Sequence, residues 1–572
     1  MHNAKPAPMK RCDLVMKGGV TSGVVYPMAV VELSKEYRCD SIGGTSAGAI
    51  AAVVTAAAEY GRAKGGFEKV AAIPDELSTG LLEKFEPYSR MRPLFNLVIA
   101  GLARKPLPIF RAAALGYWPR VAGGASIGGL IIFALAVNAG SWGFGALGVL
   151  LSLIGASIGL ASGVLRSLTH DLPEHDYGMC PGIGQRNGTG EALTDWMCRI
   201  IDDVAGLAPG KGPLTVGHLS EAEPKIRVQT VTTDLTSRRP FALPIATNTY
   251  AFSRSEFLRI FPEDVVTHMV TRSAPVEQHW NDEGVDLYYF QSKDIPVVVL
   301  ARMSLSFPGL ISAVPLWRID HTLRPARKVR CLFSDGGLSS NFPVHFFDEF
   351  LPHTPTFGIS LGPLVSERVS PNDPSAGRIT LPTKATQGQL LPAYPIDGLA
   401  GFIMAMFNTA KDWQDSLQSI LPGYRERTVT VNLTDEEGGM NLTMPSERIA
   451  FLTDLGKKAG RELVDRFDLD EHRWRRYLTE VVALDEAVQM FARNYTETAV
   501  QPGATPFPDL AANGTGGSFK RLRSRERSTL MEHAEVLAKA GETLAQLEPL
   551  SALRPRLPSS RSETRNRARM DS

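Results

Sequence analysis

Gly44-Thr45-Ser46-Ala47-Gly48 has the form G-x-S-x-G, in which small flanking residues permit a sharp strand-to-helix turn that lifts a serine hydroxyl clear of the backbone. Two other pentapeptides share the form, Gly124-Ala125-Ser126-Ile127-Gly128 and Gly155-Ala156-Ser157-Ile158-Gly159. Both lie inside a long apolar stretch with no acid or base nearby, and they read as glycines for close helix packing. Ser46 differs because a short strand precedes it, a helix follows it, and Gly18-Gly19 forms a second glycine turn one unit upstream. A serine that attacks an ester carbonyl creates a tetrahedral oxyanion, and backbone N–H groups of Gly18, Gly19 and Ala47 could meet it with no side chain in the way. The hydroxyl proton also needs an acceptor. None of the 11 histidines sits in an obvious catalytic motif, but Ser334-Asp335-Gly336-Gly337 follows the apolar run Val329 to Phe333 and puts a carboxylate at a strand end. Taken alone, D-G-G also reads as a plain turn. An aspartate with an ordinary pKa of about 3.9 is a weak base at neutral pH, so much of the acceleration would fall to the oxyanion donors and to positioning.

The elements that must hold these residues alternate. Leu14 to Met16 predicts a strand, Val24 to Glu36 a helix, Cys39 to Gly43 a second strand and Ala49 to Tyr60 an alanine-rich helix ending at Gly61. Repeated strand-loop-helix units predict an α/β fold. Further strands are expected at Ile226 to Thr233, Val297 to Leu300, Val329 to Phe333, Thr356 to Ser360 and Arg427 to Asn432. A surface loop is expected near Ser366 to Gln389, with helices at Pro395 to Gln418, Ser446 to Phe467 and Glu471 to Tyr495. Gln501 to Gly517 reads as a linker. The last 55 residues carry 12 Lys/Arg against 7 Asp/Glu, with one helix at Ser528 to Gln546 and a solvated, disordered end beyond Pro549.

Val121 to Leu165 is 45 residues long without one charged side chain, and an apolar helix needs only about 20 residues to cross a bilayer. Asn138-Ala139-Gly140-Ser141 is the natural turn, leaving arms of about 17 and 24 residues. Gly124-x-x-x-Gly128, Gly155-x-x-x-Gly159 and Gly159-x-x-x-Gly163 would let the arms approach closely. Arg120 and Arg166 bracket the segment, so the positive-inside rule places both ends, and the rest of the chain, in the cytoplasm. A two-pass membrane hairpin or a re-entrant loop is expected.

The whole chain of 572 residues has 61 Lys/Arg against 60 Asp/Glu, which removes the field that a dedicated nucleic-acid binder would use. Charged residues make up 21% and apolar ones 44%, close to a globular average. Five scattered cysteines without a C-x-x-C pair fit a reducing compartment. Met1 to Met16 lacks the apolar run of a secretory signal.

Lys17-Gly18-Gly19-Val20-Thr21-Ser22-Gly23, then Gly44 to Gly48, then Asp335-Gly336-Gly337, resemble in type and order the motifs of the patatin-like phospholipase family. Thr232 to Leu235 and Ala301 to Pro308 look like further family landmarks. The resemblance covers roughly Lys10 to Gly362, interrupted by the apolar segment. It departs from the family's glycine loop at Val20, in place of a third glycine, and at Ser22, in place of a basic residue. It implies a three-layer α/β/α sandwich and a serine–aspartate dyad that hydrolyses acyl esters of lipids without metal or cofactor. Ser46 would be the nucleophile, Asp335 the general base, and Gly18, Gly19 and Ala47 the oxyanion hole, with Gly44, Gly48, Gly336 and Gly337 supporting the motifs.

The expected organisation is 10–120 as the first part of the catalytic domain, 121–165 as the hairpin and 166–435 as the rest of the catalytic domain. A helical extension at 436–500 and a linker with a basic tail at 501–572 complete it. The function implied is a membrane-anchored lipid acyl hydrolase of phospholipase or lysophospholipase type, with membrane lipid as substrate and no nucleic-acid partner. Two alternatives remain at this level: a Ser-Asp-His esterase using His345 or His353, and a non-catalytic membrane scaffold that keeps the fold.

Overall fold

The computed structural model describes residues 9–553, apart from 20, 103–105, 140–144, 186–189, 209, 246–248, 281–285, 365–373, 384–395, 397, 400, 403–404, 407–408, 410–422, 435, 440, 498–500, 502 and 514–521. Strand β1 (Lys10–Met16) leads through a glycine loop and a 3-10 turn at Ser22–Val25 into α1 (Tyr26–Leu33). Strand β2 (Tyr37–Thr45), α2 (Ala47–Tyr60) and α3 (Gly66–Gly80) follow. After two shorter helices at Arg92–Leu102 and Pro106–Gly116 come two long apolar helices, α4 (Trp118–Ala139) and α5 (Gly145–Arg166), and later α6 (Leu193–Val204). The chain continues through β3 (Arg227–Asp234), β4 (Arg239–Leu243), β5 (Ala251–Ser253), β6 (Leu287–Tyr289) and α7 (Val297–Ser304). Strands β7 (Val314–Asp320), β8 (Arg327–Asp335), β9 (Thr356–Pro363), β10 (Ile379–Thr380) and β11 (Thr428–Leu433) complete the sheet. Helices α8 (Ser446–Arg466), α9 (Leu469–Thr496), α10 (Phe507–Asn513) and α11 (Ser524–Leu544) close the described chain.

The protein is a mixed α/β fold around one 11-stranded sheet, in the order β10-β11-β9-β1-β2-β3-β8-β7-β5-β6 with β4 paired to β3. The run β11-β9-β1-β2-β3 is parallel, whereas β8 enters antiparallel beside β3. Alternation along β1 shows how the sheet is buried. Leu14 and Met16 face the main core with α1 and α2, while Val15 faces a smaller cluster of Phe342, Val344 and Phe347. Helix α8 docks tightly on α1: an added Cβ at Gly456 would lie 2.0 Å from the Val25 carbonyl oxygen, and one at Gly460 2.4 Å from that of Ala29.

The apolar segment is a pair of helices of 22 residues each, rather than arms of 17 and 24. Gly140 and Ser141 of the expected turn lie outside the described residues. The glycines do set the contact: a Cβ on Gly124 would sit 2.0 Å from the Gly155 carbonyl oxygen, one on Gly155 2.1 Å from that of Gly124, and one on Gly159 2.1 Å from that of Arg120. Outward-facing Ile127, Leu130, Phe133, Val149, Leu153 and Ile158 are exposed. Among the described residues one helix, Leu147–Glu174, is long and apolar enough to cross a membrane.

Three further expectations change. Val297 to Leu300 is not a strand but the start of α7, every residue of which is buried; a β-branched run closed in on all sides carries no period, and packing overrides its weak strand propensity. The expected linker at Gln501 to Gly517 contains α10. The helix at Ser528 to Gln546 begins earlier, as α11, and is docked on α9, where a Cβ on Gly541 would meet the Val488 carbonyl oxygen at 2.4 Å. Most of the helix expected at Pro395 to Gln418, and the end of the chain from residue 554, fall outside the described residues.

Candidate active site

Ser46 stands between the last residue of β2 and the first of α2, with φ 55° and ψ −127°. A non-glycine residue with positive φ stores strain that the surroundings must hold, and the flanking glycines show how. A Cβ on Gly44 would lie 2.1 Å from the Gly48 carbonyl oxygen, and one on Gly48 2.3 Å from that of Met16. The motif glycines are therefore places where backbone meets backbone. The turn leaves Ser46 at the N-terminus of a 14-residue helix, where the first backbone N–H groups have no intrahelical acceptor and carry partial positive charge.

Sheet register brings the distant carboxylate to it. Thr45 is level with Val231 across β2 and β3, and Thr232, the next residue of β3, pairs with Asp335 of β8. Although 289 positions separate them, the Ser46 hydroxyl donates to Asp335 Oδ2 at 2.6 Å. Ser46 is 4% exposed and Asp335 3%. The other carboxylate oxygen, Oδ1, accepts the Gly337 N–H at 2.7 Å. Gly336 has no room for a side chain, since a Cβ would fall 2.0 Å from the Val231 carbonyl oxygen.

Residues around α7 fix both partners. Ser304 Oγ accepts the Ser46 N–H at 2.9 Å, and the Ser306 carbonyl accepts the Asp335 N–H at 2.9 Å. The fully buried Arg302 donates to Ser306 Oγ at 2.6 Å and to the Pro181 and Ser312 carbonyls at 2.9 Å. Burial lowers its pKa to about 10, which still leaves it charged at neutral pH. Thr232 Oγ1 donates to the Ser334 carbonyl at 2.8 Å and Thr233 Oγ1 to that of Asp335 at 2.9 Å. Sequence reasoning singled out the stretches holding these residues but not Ser304, Ser306 or Arg302, whose roles come from contacts across the fold.

The glycine loop divides into two parts. The Gly18 N–H is donated to the Asn341 carbonyl at 2.9 Å, so the expectation that it points at an oxyanion is corrected; Gly18 serves by being small, since a Cβ there would lie 2.2 Å from Asn341 Oδ1 and 3.2 Å from Ser46 Cβ. Gly19 is closely enclosed by Ser22 and Leu361, and Val20 lies outside the described residues. Gly19 and Ala47 remain the candidate oxyanion donors. Asn341, which no sequence motif announced, ties the loop after Asp335 to the glycine loop before Ser46.

Histidine takes no part in the described arrangement. In a serine triad an imidazole stands between hydroxyl and carboxylate, but here the two are directly bonded. His345 lies in the 3-10 turn Val344–Phe347, edge-on to Phe346, and His353 is exposed. A serine hydroxyl bonded to a buried carboxylate, at a helix N-terminus and beside a tight glycine loop, is an arrangement able to carry nucleophilic acyl transfer.

No family model matches the chain. The crystal structure of VipD from Legionella pneumophila aligns with 98% of this chain and 90% of that one, at 12% identity and a TM-score of 0.31, too slight a likeness to carry an argument. The RpoH suppressor of Rhizobium meliloti (strain 1021) is 33% identical over 625 aligned residues, which cover 94% of this chain and 95% of that protein. The chain belongs to the family of that RpoH suppressor.

Proposed function

We propose that this protein is a membrane-anchored, patatin-like lipid acyl hydrolase with the three-layer sandwich of that family, using Ser46 as nucleophile and Asp335 as general base. The observation that carries the reading is the buried hydrogen bond from Ser46 Oγ to Asp335 Oδ2 at 2.6 Å. Asp335 takes the hydroxyl proton as Ser46 attacks the ester carbonyl, and the leaving lysolipid or alcohol takes it up as the acyl-serine forms. Asp335 then takes a proton from a water molecule as it attacks the acyl-serine, the bond from the acyl carbon to Ser46 Oγ breaks to release the fatty acid, and Oγ takes the proton back from Asp335. Because aspartate is a weak base, the N–H groups at Ala47 and Gly19 are asked for much of the stabilisation. No metal or cofactor enters the reaction.

Helices α4 and α5 supply the anchor. Their exposed apolar surface suits lipid, and their glycine contacts suit association where lipid gives no hydrophobic drive. The arginines at the two outer ends put the catalytic domain on the cytoplasmic side, so that a water-insoluble ester is met at the bilayer surface.

The test is release of fatty acid from phospholipid, lysophospholipid and p-nitrophenyl esters by the full chain in detergent or vesicles. Ser46→Ala and Asp335→Ala should each reduce turnover by about 10³-fold or more while circular dichroism stays unchanged. Turnover retained by folded Ser46→Ala protein would overturn the proposal. A folded wild-type chain that cleaves none of these esters would point to the scaffold.

A further inference from the structure

An apolar cleft lies between α1, α2 and α3 and begins beside the nucleophile. Its volume is about 90 Å³, taken as the space open to the centre of a water-sized sphere. Ala47, the residue after Ser46, and Leu305, the residue after Ser304, line it, as does Gly23 from the glycine loop.

The cleft runs away from Ser46 along one stripe of α2. Ala47, Ile50, Ala51, Val54 and Thr55 all line it, at the spacing that places residues on a single helix face. From Ala47 to Thr55 the helix rises about 12 Å. Another wall is α3, which starts at the far end of α2, where a Cβ on Gly66 would lie 2.7 Å from the Ala58 carbonyl oxygen. Val70 and Leu77 of α3, and Leu81 just past its last residue, line the cleft on this side.

Polar atoms of the lining are already bonded within the protein. The Thr55 hydroxyl donates to the Ala51 carbonyl at 2.6 Å, which leaves its methyl as the apolar part of the wall, and the Tyr26 hydroxyl donates to the Lys17 carbonyl. Lys84 has its ammonium 3.3 Å from Glu191 Oε2. An occupant thus has apolar surface to bury and few polar groups to meet. Ala51 is the small residue midway down the α2 stripe, so it governs whether the deep half can be reached.

We infer that this cleft receives the acyl chain of the ester cleaved at Ser46, laid along α2, and that Ala51 sets how long a chain fits. The inference rests on the hydrolase reading of Ser46. A chain whose carbonyl is at the hydroxyl enters past Ala47 and buries successive methylenes against Ala51, Val54 and Val70. The site accordingly selects long unbranched acyl groups over acetyl, since each added methylene transfers from water to an apolar wall.

The test is a series of p-nitrophenyl esters, acetate, butyrate, octanoate and palmitate, with the full chain in detergent. The wild type should show kcat/KM rising along the series. Ala51→Phe, which fills the cleft at mid-depth, should lower the palmitate-to-acetate ratio at least about tenfold, and Ala51→Leu, the milder variant should the first not fold, should lower it in the same direction. Binding of fluorescent cis-parinaric acid gives a readout independent of turnover: Ser46→Ala protein should bind it, and Ser46→Ala/Ala51→Phe should bind it at least about tenfold more weakly. A ratio unmoved by folded Ala51 variants, in a wild type that does cleave esters, overturns the cleft and leaves the hydrolase standing. A wild type that cleaves nothing removes the hydrolase reading, and Ala51-sensitive parinarate binding then decides the cleft by itself, with absent or Ala51-insensitive binding overturning it.

Discussion

At the scale of single residues the site depends on what is missing as much as on what is present. Gly44, Gly48 and Gly336 are glycine because backbone carbonyl oxygens occupy the positions their side chains would take. Gly48→Ala should destabilise the fold by about 1–3 kcal/mol, seen as a lower denaturation midpoint, and should disturb Ser46 as well; a variant of wild-type stability and activity would contradict this packing. Ser304→Ala removes the acceptor of the buried Ser46 N–H and should lower kcat/KM by about tenfold or more, the effect of leaving one buried donor unpaired. Since Ser304 acts by positioning, KM should change less than kcat. Ser46 and Asp335 were legible in the sequence because each sits in a local pattern of glycines with a definite backbone requirement. Ser304, Ser306, Arg302 and Asn341 were not, since a serine hydroxyl or an asparagine carbonyl acquires its role only when a distant strand is laid beside it.

Among elements, those with a strong period or a capping glycine were readable and those closed in on every side were not. Helices α2 and α8 and strands β3 and β11 fall within a few residues of their expected places. Helix α7 was misread because an apolar run buried on all faces has no polar side to reveal its period. In the α4–α5 pair the decoy G-x-S-x-G sequences are explained: Gly124 and Gly155 meet at the crossing, and Ser126 and Ser157 donate to carbonyls one turn back on their own helices, at 2.8 and 2.9 Å. Replacing 118–166 by a short polar linker should move the protein from the carbonate-resistant membrane fraction to the soluble one. Recovery of the full chain in the soluble fraction would count against the anchor. Gly155→Leu should separate the two helices without removing either, and a cysteine cross-link between them should then form more slowly.

The whole molecule is organised by its sheet. The parallel strands carry Ser46 to their C-terminal edge, and β8 enters that edge from the other direction, so that residues 46 and 335 become level through register. Local signals in the sequence indicated a strand before each motif but not the antiparallel direction of β8, which depends on partners far along the chain. The same holds for the docking of α8 on α1 and of α11 on α9, which draws segments expected as extension and tail against other helices. One consequence concerns pH. His472 on α9 is 2% exposed, and burial first, then Arg427, Arg476 and Arg475, push its pKa down to about 3. Because the folded value lies below the ordinary one near 6.5, the stability this group contributes is present above pH ~6.5 and is lost as pH falls toward ~3. Tm should decline on going from about pH 7 to about pH 5, and less steeply in His472→Gln; equal slopes would argue against a neutral buried imidazole.

The most direct measurement of the central claim is labelling of the full chain with a fluorophosphonate, followed by mass mapping of the adduct. A single adduct on Ser46, strongly reduced in Asp335→Asn protein of unchanged fold, is the predicted result. No adduct on well-folded wild type, an adduct on another serine, or full labelling of Ser46 without the Asp335 carboxylate would contradict it.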